Sequence, residues 1–176
     1  MNKLFFKYIQ SFDIDKSIDG ILFSDCVSDI LDHVQVQNLS EYMHHMSVNR
    51  LQHVISVSFL SYLLCRRLGL DYRAAARGAL LHDLFHYNRS EEKTVKFHTL
   101  RHPKTALQNA RRFFNLSKKE ESIIKRHMWP LTITPPTNRE AFIVCMVDKY
   151  CAVLEAYYSF FPHRLLKKKQ AATTLT

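Results

Sequence analysis

A chain of 176 residues, 47% of them hydrophobic, with only three glycines and five prolines, excludes general disorder, a turn-rich β architecture and two full-sized domains. Lys and Arg outnumber Asp and Glu by 25 to 16, and the net charge of +9 suits anionic partners, whether phosphorylated metabolites or nucleic acid. Cys26, Cys65, Cys145 and Cys151 lack metal or redox spacing and read as reduced core residues.

The N-terminal residues 1–12 place Leu4, Phe5, Tyr8, Ile9 and Phe12 at helical spacing and predict a short amphipathic helix. Gln10, Asp13 and Asp15 break that run short of a signal peptide or membrane span, so a cytoplasmic protein is expected. Asp13 to Gly20 reads as a turn, Asp25 to Val36 as a second helix, and Ser40 as the cap of a short turn through His44 and His45. Asn49 to Leu68 is the first long helix, closed by Gly69 as a C-cap glycine. Asp71 opens the next, which is expected to run through His82-Asp83 to Phe85.

Asn88 to Leu100 is polar and reads as a loop. Pro103 suits the first turn of a helix reaching about Phe114, with His102 in the N-cap region. Ser117-Lys118-Lys119-Glu120 is a capping box opening a helix that carries Ile123, Ile124 and His127. The proline-rich stretch from Trp129 to Thr137 is irregular. Asn138 caps a last long helix, Arg139 to about Phe161, stopped by Pro162. The expected architecture is one all-α, single-domain helical bundle. Residues 1–48 pack N-terminal helices on a core at 49–162, and 163–176 form a basic, frayed tail.

The chemistry concentrates at His82-Asp83, which follows the apolar run Ala79-Leu80-Leu81. Burying an imidazole and a carboxylate side by side is costly unless something replaces their hydration, and a metal ion does so. The helical hairpin turned at Gly69-Leu70 brings His53 to the same end of the bundle. Asp148 lies in another apolar helix, with Val144, Cys145, Cys151 and Ala152 one turn away and no cation among them. It is either a metal ligand or an aspartate bonded to a buried donor.

His53, His82-Asp83 and Asp148, separated by 29 and then 65 residues, resemble the H…HD…D signature of the HD-domain superfamily of metal-dependent phosphohydrolases. Local phrases such as Arg50-Leu51-Gln52-His53, His102-Pro103 and Val147-Asp148-Lys149-Tyr150 are similar in style, and the resemblance covers about residues 45–155. It implies a helical bundle holding a metal on His53, His82, Asp83 and Asp148. Two-metal members add histidines between the HD pair and the final aspartate, and His102 and His127 stand there, with Asp83 then bridging the ions. The cyclic-dinucleotide phosphodiesterase branch has a further adjacent histidine where this chain has Met128, and a Gly-Tyr-Pro motif that it lacks. Without metal roles, His102 is an N-cap histidine and His127 a cation near a helix C-terminus.

The same resemblance assigns catalytic roles to Asp83, which orients water, and to His86, four residues after His82, as general acid or phosphate contact. Arg50 and Lys149 are substrate-binding candidates, with ordinary salt bridges as the alternative. His44 and His45 fall at the site rim and His98 near the second metal; His33 and His163 have no argued role. The implied cofactor is one or two divalent ions among Fe, Mn, Zn, Ni and Co. The implied reaction is attack of a metal-bound hydroxide on a phosphomonoester or phosphodiester, with a small phosphorylated substrate, a nucleotide foremost, and no membrane partner. Two rivals are a non-catalytic nucleotide- or metal-binding sensor or scaffold, and, less favoured, a nucleic-acid-binding module.

Overall fold

The computed structural model describes residues 16–45, 48–87 and 95–160. The helix expected over 1–12 and the basic tail at 163–176 lie outside them. Among the described residues the chain is all-α apart from one small ribbon: α1 (Lys16–Leu31), α2 (Val34–Gln37), a 3-10 turn (Asn38–Glu41), β1 (Met43–His45), β2 (Val48–Asn49), α3 (Arg50–Arg67), α4 (Tyr72–Leu81), α5 (Val95–Phe113), α6 (Lys118–Arg126) and α7 (Arg139–Phe160). No helix among the described residues is long and apolar enough to cross a membrane.

The hairpin of α3 and α4 forms the centre. A capping box opens α3, with Gln52 N donating to Asn49 Oδ1 at 2.9 Å and Asn49 N to Gln52 Oε1 at 3.3 Å. Gly69, at φ 66°, closes it in a Schellman turn in which Leu70 N donates to Cys65 O and Gly69 N to Arg66 O. Asp71 then caps α4 by accepting from Ala74 N. The exposed polar turn therefore sits at one end of the pair, and His53 and His82 meet at the other.

Helix α4 is buried nearly all round, and its small residues let neighbours close on it. Ala76 and Leu80 join a cluster with Ile30, Val54, Ala106 and Ile124, while Ala75 and Ala79 join a second with Val57, Ile123, Val144 and Val147. Gly78 faces α6, where a Cβ would stand 2.9 Å from Ile123 Cβ and Cγ2. The four cysteines are buried, as their apolar settings implied.

Four boundaries differ from those expected. Helix α1 already includes Lys16 to Gly20, because Phe23, Cys26, Val27 and Ile30 continue an apolar stripe that outweighs the Asp-Ser-Gly composition. It stops at Leu31, and His33, extended at ψ 134°, caps the separate α2 through its ring nitrogen. The segment around His44 is a strand, paired antiparallel as Met43 with Asn49 and His45 with Val48.

Helix α4 ends at Leu81, not Phe85. Beyond it the amides bond at shorter range, Leu84 N to Leu81 O and Phe85 N to Asp83 O, and distant side chains hold the segment that follows: Asn109 Nδ2 donates to Leu84 O, and Arg50 to Phe85 O and Tyr87 O. Helix α5 begins at Val95, inside the expected loop, so Pro103 is an interior residue and His102 is no N-cap. The capping box at Ser117 and the Asn138 cap of α7 are present as expected.

Candidate metal centre

Histidines and carboxylates from five helical elements converge at the end of the hairpin remote from Gly69. His53 lies in the first turn of α3, His82 is the C-cap of α4 with Asp83 next to it, and His102 lies within α5. His127 is the C-cap of α6, and Asp148 is in the middle of α7. All six are buried. His53, His82 and Asp148 form one group able to hold an ion, and His82, Asp83 and His127 another, with donor atoms in each group within 4.8 Å of one another. His102 Nε2 lies 2.9 Å from His127 Nε2 and 3.4 Å from Asp83 Oδ1, which adds it to the second.

Backbone carbonyls fix which ring nitrogen faces inward. His82 Nδ1 donates to Ala79 O at 2.6 Å, and His127 Nδ1 donates to Ile124 O at 2.8 Å. A carbonyl only accepts, so each Nδ1 carries hydrogen and each Nε2 is left for the centre. Both contacts span three residues at a helix end, where carbonyls lack amide partners, and a C-cap histidine can therefore lock its own tautomer. His53 is held by a side chain instead: Nδ1 donates to Glu155 at 3.0 and 3.1 Å, and Nε2 reaches Asp148 Oδ1 at 3.1 Å.

Two atoms at the point of convergence, His82 Nε2 and Asp83 Oδ1, are buried without a hydrogen-bond partner among the described residues. Polar atoms so placed cost stability unless something coordinates them. A nitrogen lone pair and a carboxylate oxygen side by side are suitable donors for a divalent transition ion, so the residues fit the metal that the pattern implies.

The charge states of the metal-free centre follow from the same contacts. Burial pushes Asp83 up, but His82, His102, His127 and His44 outweigh it and hold the carboxyl well below the carboxylate range. Asp148 is likewise held low against burial, by His53 and His82. His53 moves to about 10 because its bonds to Asp148 and Glu155 overcome burial. His127 falls to about 3, from burial first and then from His82 and His102. His127 is therefore a neutral imidazole and not the helix-terminal cation of the alternative reading.

Three expected site residues are turned to other work. Arg50 is buried, with Nη1 donating to Phe85 O at 2.6 Å, Nη2 to Tyr87 O at 3.2 Å, and its guanidinium 3.7 Å from the Phe85 ring centre. His86 does not share a helical face with His82, since the helix has ended; its Nε2 donates to Gln35 O at 2.8 Å. Lys149 Nζ donates to His127 O at 2.9 Å and to Cys145 O at 3.2 Å. In the structure Arg50 and Lys149 thus fasten backbone beside Asp83 and His127, and His86 fastens α2. Glu155 was missed, although it follows Asp148 by seven residues, two turns along one helix face.

The family model of the HD domain matches residues 50–153, more than half of the chain. No curated protein and no solved structure matches. The matched span contains His53, His82-Asp83, His102, His127 and Asp148, the six side chains that the fold gathers. The chain therefore belongs to the HD-domain family, all-α proteins that bind divalent metals and whose typical activity is metal-dependent phosphohydrolysis.

Proposed function

We propose that the protein hydrolyses a phosphomonoester or phosphodiester of a small molecule, with a nucleotide as the foremost substrate class. The observation that carries this reading is the convergence of six buried ligand-type side chains on one point, where His82 Nε2 and Asp83 Oδ1 make no hydrogen bond among the described residues. His53, His82, Asp83 and Asp148 would hold one ion, and Asp83, His102 and His127 a second. Such ions (Fe, Mn, Zn, Ni or Co) acidify water and polarise a phosphoryl oxygen.

The chain's own part lies in orientation. Asp83 presents Oδ1 to His102 and His127, and Oδ2 to His44 at 3.7 Å. A carboxylate held so far below its usual range orients an attacking water by accepting its hydrogen and does not retain the proton. The new bond forms between that oxygen and phosphorus, the bond to the ester oxygen breaks, and an alcohol or nucleoside leaves with a proton. The positive net charge favours approach of an anionic ester.

The test is phosphate and nucleoside release from a panel of nucleoside monophosphates, cyclic nucleotides and dinucleotides by protein reconstituted with Mn, Fe or Zn, beside Asp83→Ala. Release that is lost with Asp83 supports the reading. Metal uptake with no ester cleaved would favour a sensor or scaffold. Oligonucleotide binding that weakens steeply with salt, without phosphate release, would favour a nucleic-acid module.

A further inference from the structure

We propose that the metal centre extends beyond the six residues of the matched span: Glu155 orients His53 and His44 together, and His44 turns its Nε2 to the centre as an additional ligand beside Asp83. This rests on the reading that the centre binds metal. Both residues fall outside the matched residues 50–153, one in β1 and the other near the end of α7.

The geometry is that of a clasp. Glu155 accepts from His53 Nδ1 with both oxygens, at 3.0 and 3.1 Å, and from His44 Nδ1 with Oε2 at 3.2 Å. The His44 and His53 rings stack with centroids 3.7 Å apart and planes 13° from parallel. Since a carboxylate only accepts, both Nδ1 atoms carry hydrogen and both Nε2 atoms are free of it in the neutral ring. Without metal, His53 Nε2 also carries a proton and donates to Asp148 Oδ1 at 3.1 Å, the proton that an ion would replace; His44 Nε2 lies 3.7 Å from Asp83 Oδ2, the oxygen not facing His102 and His127. Donor atoms of His44, His53 and Asp83 lie within 4.8 Å of one another. An ordinary surface pair would need neither the parallel rings nor a carboxylate shared between two of them. Histidine ligands are commonly held by a carboxylate on the second nitrogen, which fixes ring and tautomer.

The experiment compares the full chain with Glu155→Ala, Glu155→Gln and His44→Ala, each first shown to be folded by circular dichroism. Zn(II) affinity is measured by chelator competition, and Co(II)-loaded samples are read by visible absorption. Glu155→Ala should weaken Zn(II) binding by about 10- to 100-fold, the usual loss when such a partner is removed. His44→Ala should change the Co(II) spectrum by removing a nitrogen donor. Glu155→Gln is the sharper probe. It keeps the shape of the site and one accepting oxygen where Oε2 meets both rings, so it should weaken Zn(II) binding less than Glu155→Ala, a rescue that a merely space-filling role would not separate.

Folded variants with wild-type Zn(II) affinity and an unchanged Co(II) spectrum would overturn the proposal. A wild-type chain that takes up neither ion overturns both this inference and the hydrolase reading. Metal binding that responds to Glu155 and His44, in a protein that cleaves no ester, would sink the hydrolase alone.

Discussion

Arg50 offers the clearest separation of a substrate clamp from a structural strut. As a strut it makes two hydrogen bonds from a charged donor to buried or half-buried carbonyls of the segment that follows Asp83, each worth about 1.5–3 kcal/mol. The guanidinium over Phe85, 3.7 Å from the ring centre, adds about 1 kcal/mol. Relaxation around the vacated space recovers part of this, so Arg50→Ala should lose about 3–5 kcal/mol, a large share of a typical domain's stability. Arg50→Lys keeps the charge but not the planar fork, and should lose about half as much. Urea unfolding followed by circular dichroism, on metal-free and metal-loaded protein, gives both numbers. Zn(II) affinity should fall with them, because Leu84 to Tyr87 anchor the residue that carries Asp83. A stability change under about 1 kcal/mol, with KM raised for a cleaved ester, would refute the strut and restore the clamp.

Three further outcomes are expected. Gly78→Ala gains about 1 kcal/mol of helix propensity but drives a Cβ to 2.9 Å from Ile123 Cβ and Cγ2, atoms that cannot swing away, so thermal melting should show a net loss of about 1–2 kcal/mol; a stabilised variant would mean that α4 and α6 are not so close. Asn49→Ala removes the side-chain half of the capping box, leaving Gln52 Oε1 on the backbone N–H of position 49, and should cost about 1 kcal/mol in urea unfolding; unchanged stability would mean that the first turn of α3 does not depend on this cap. Metal-free protein should be most stable near pH 6.5. His53, at about 10 through Asp148 and Glu155 despite burial, contributes fully below pH 6.5 and loses its contribution as pH rises toward 10. His44 and His127, lowered chiefly by burial to about 4 and about 3, stay neutral in the fold while the unfolded chain takes up their protons, so stability also falls from pH 6.5 toward acid. Metal replaces the proton on His53 Nε2, so loading should abolish the alkaline decline and release protons measurable by calorimetry in buffers of different ionisation enthalpy; a flat profile without metal would contradict this.

What the sequence disclosed, it disclosed through local physics. His82-Asp83 and Asp148 stood out because charged groups in apolar runs need compensation, and the hairpin placed His53 because Gly69 and Asp71 are unambiguous helix stop and start residues. What stayed hidden depended on distant side chains. Nothing near Phe85 announces the end of α4, and the segment beyond it is held from afar, the Phe85 carbonyl by Arg50, thirty-five residues earlier. The start of α5 at Val95 overrides the usual position of proline in a first turn, and no local rule warns of that exception.

Adjacency to a ligand along the chain fixes distance, not direction. On a helix, the residue after an inward-facing ligand is rotated by about 100° from it, away from the metal and toward the neighbouring backbone. Lys149 beside Asp148 accordingly finds the carbonyl of His127, and the strut it forms braces a second ligand. Seven residues from Asp148, by contrast, the helix has turned nearly full circle twice, and Glu155 returns to the face of the centre. A positional rule that searched one face of the helix would have passed over Lys149 and found Glu155.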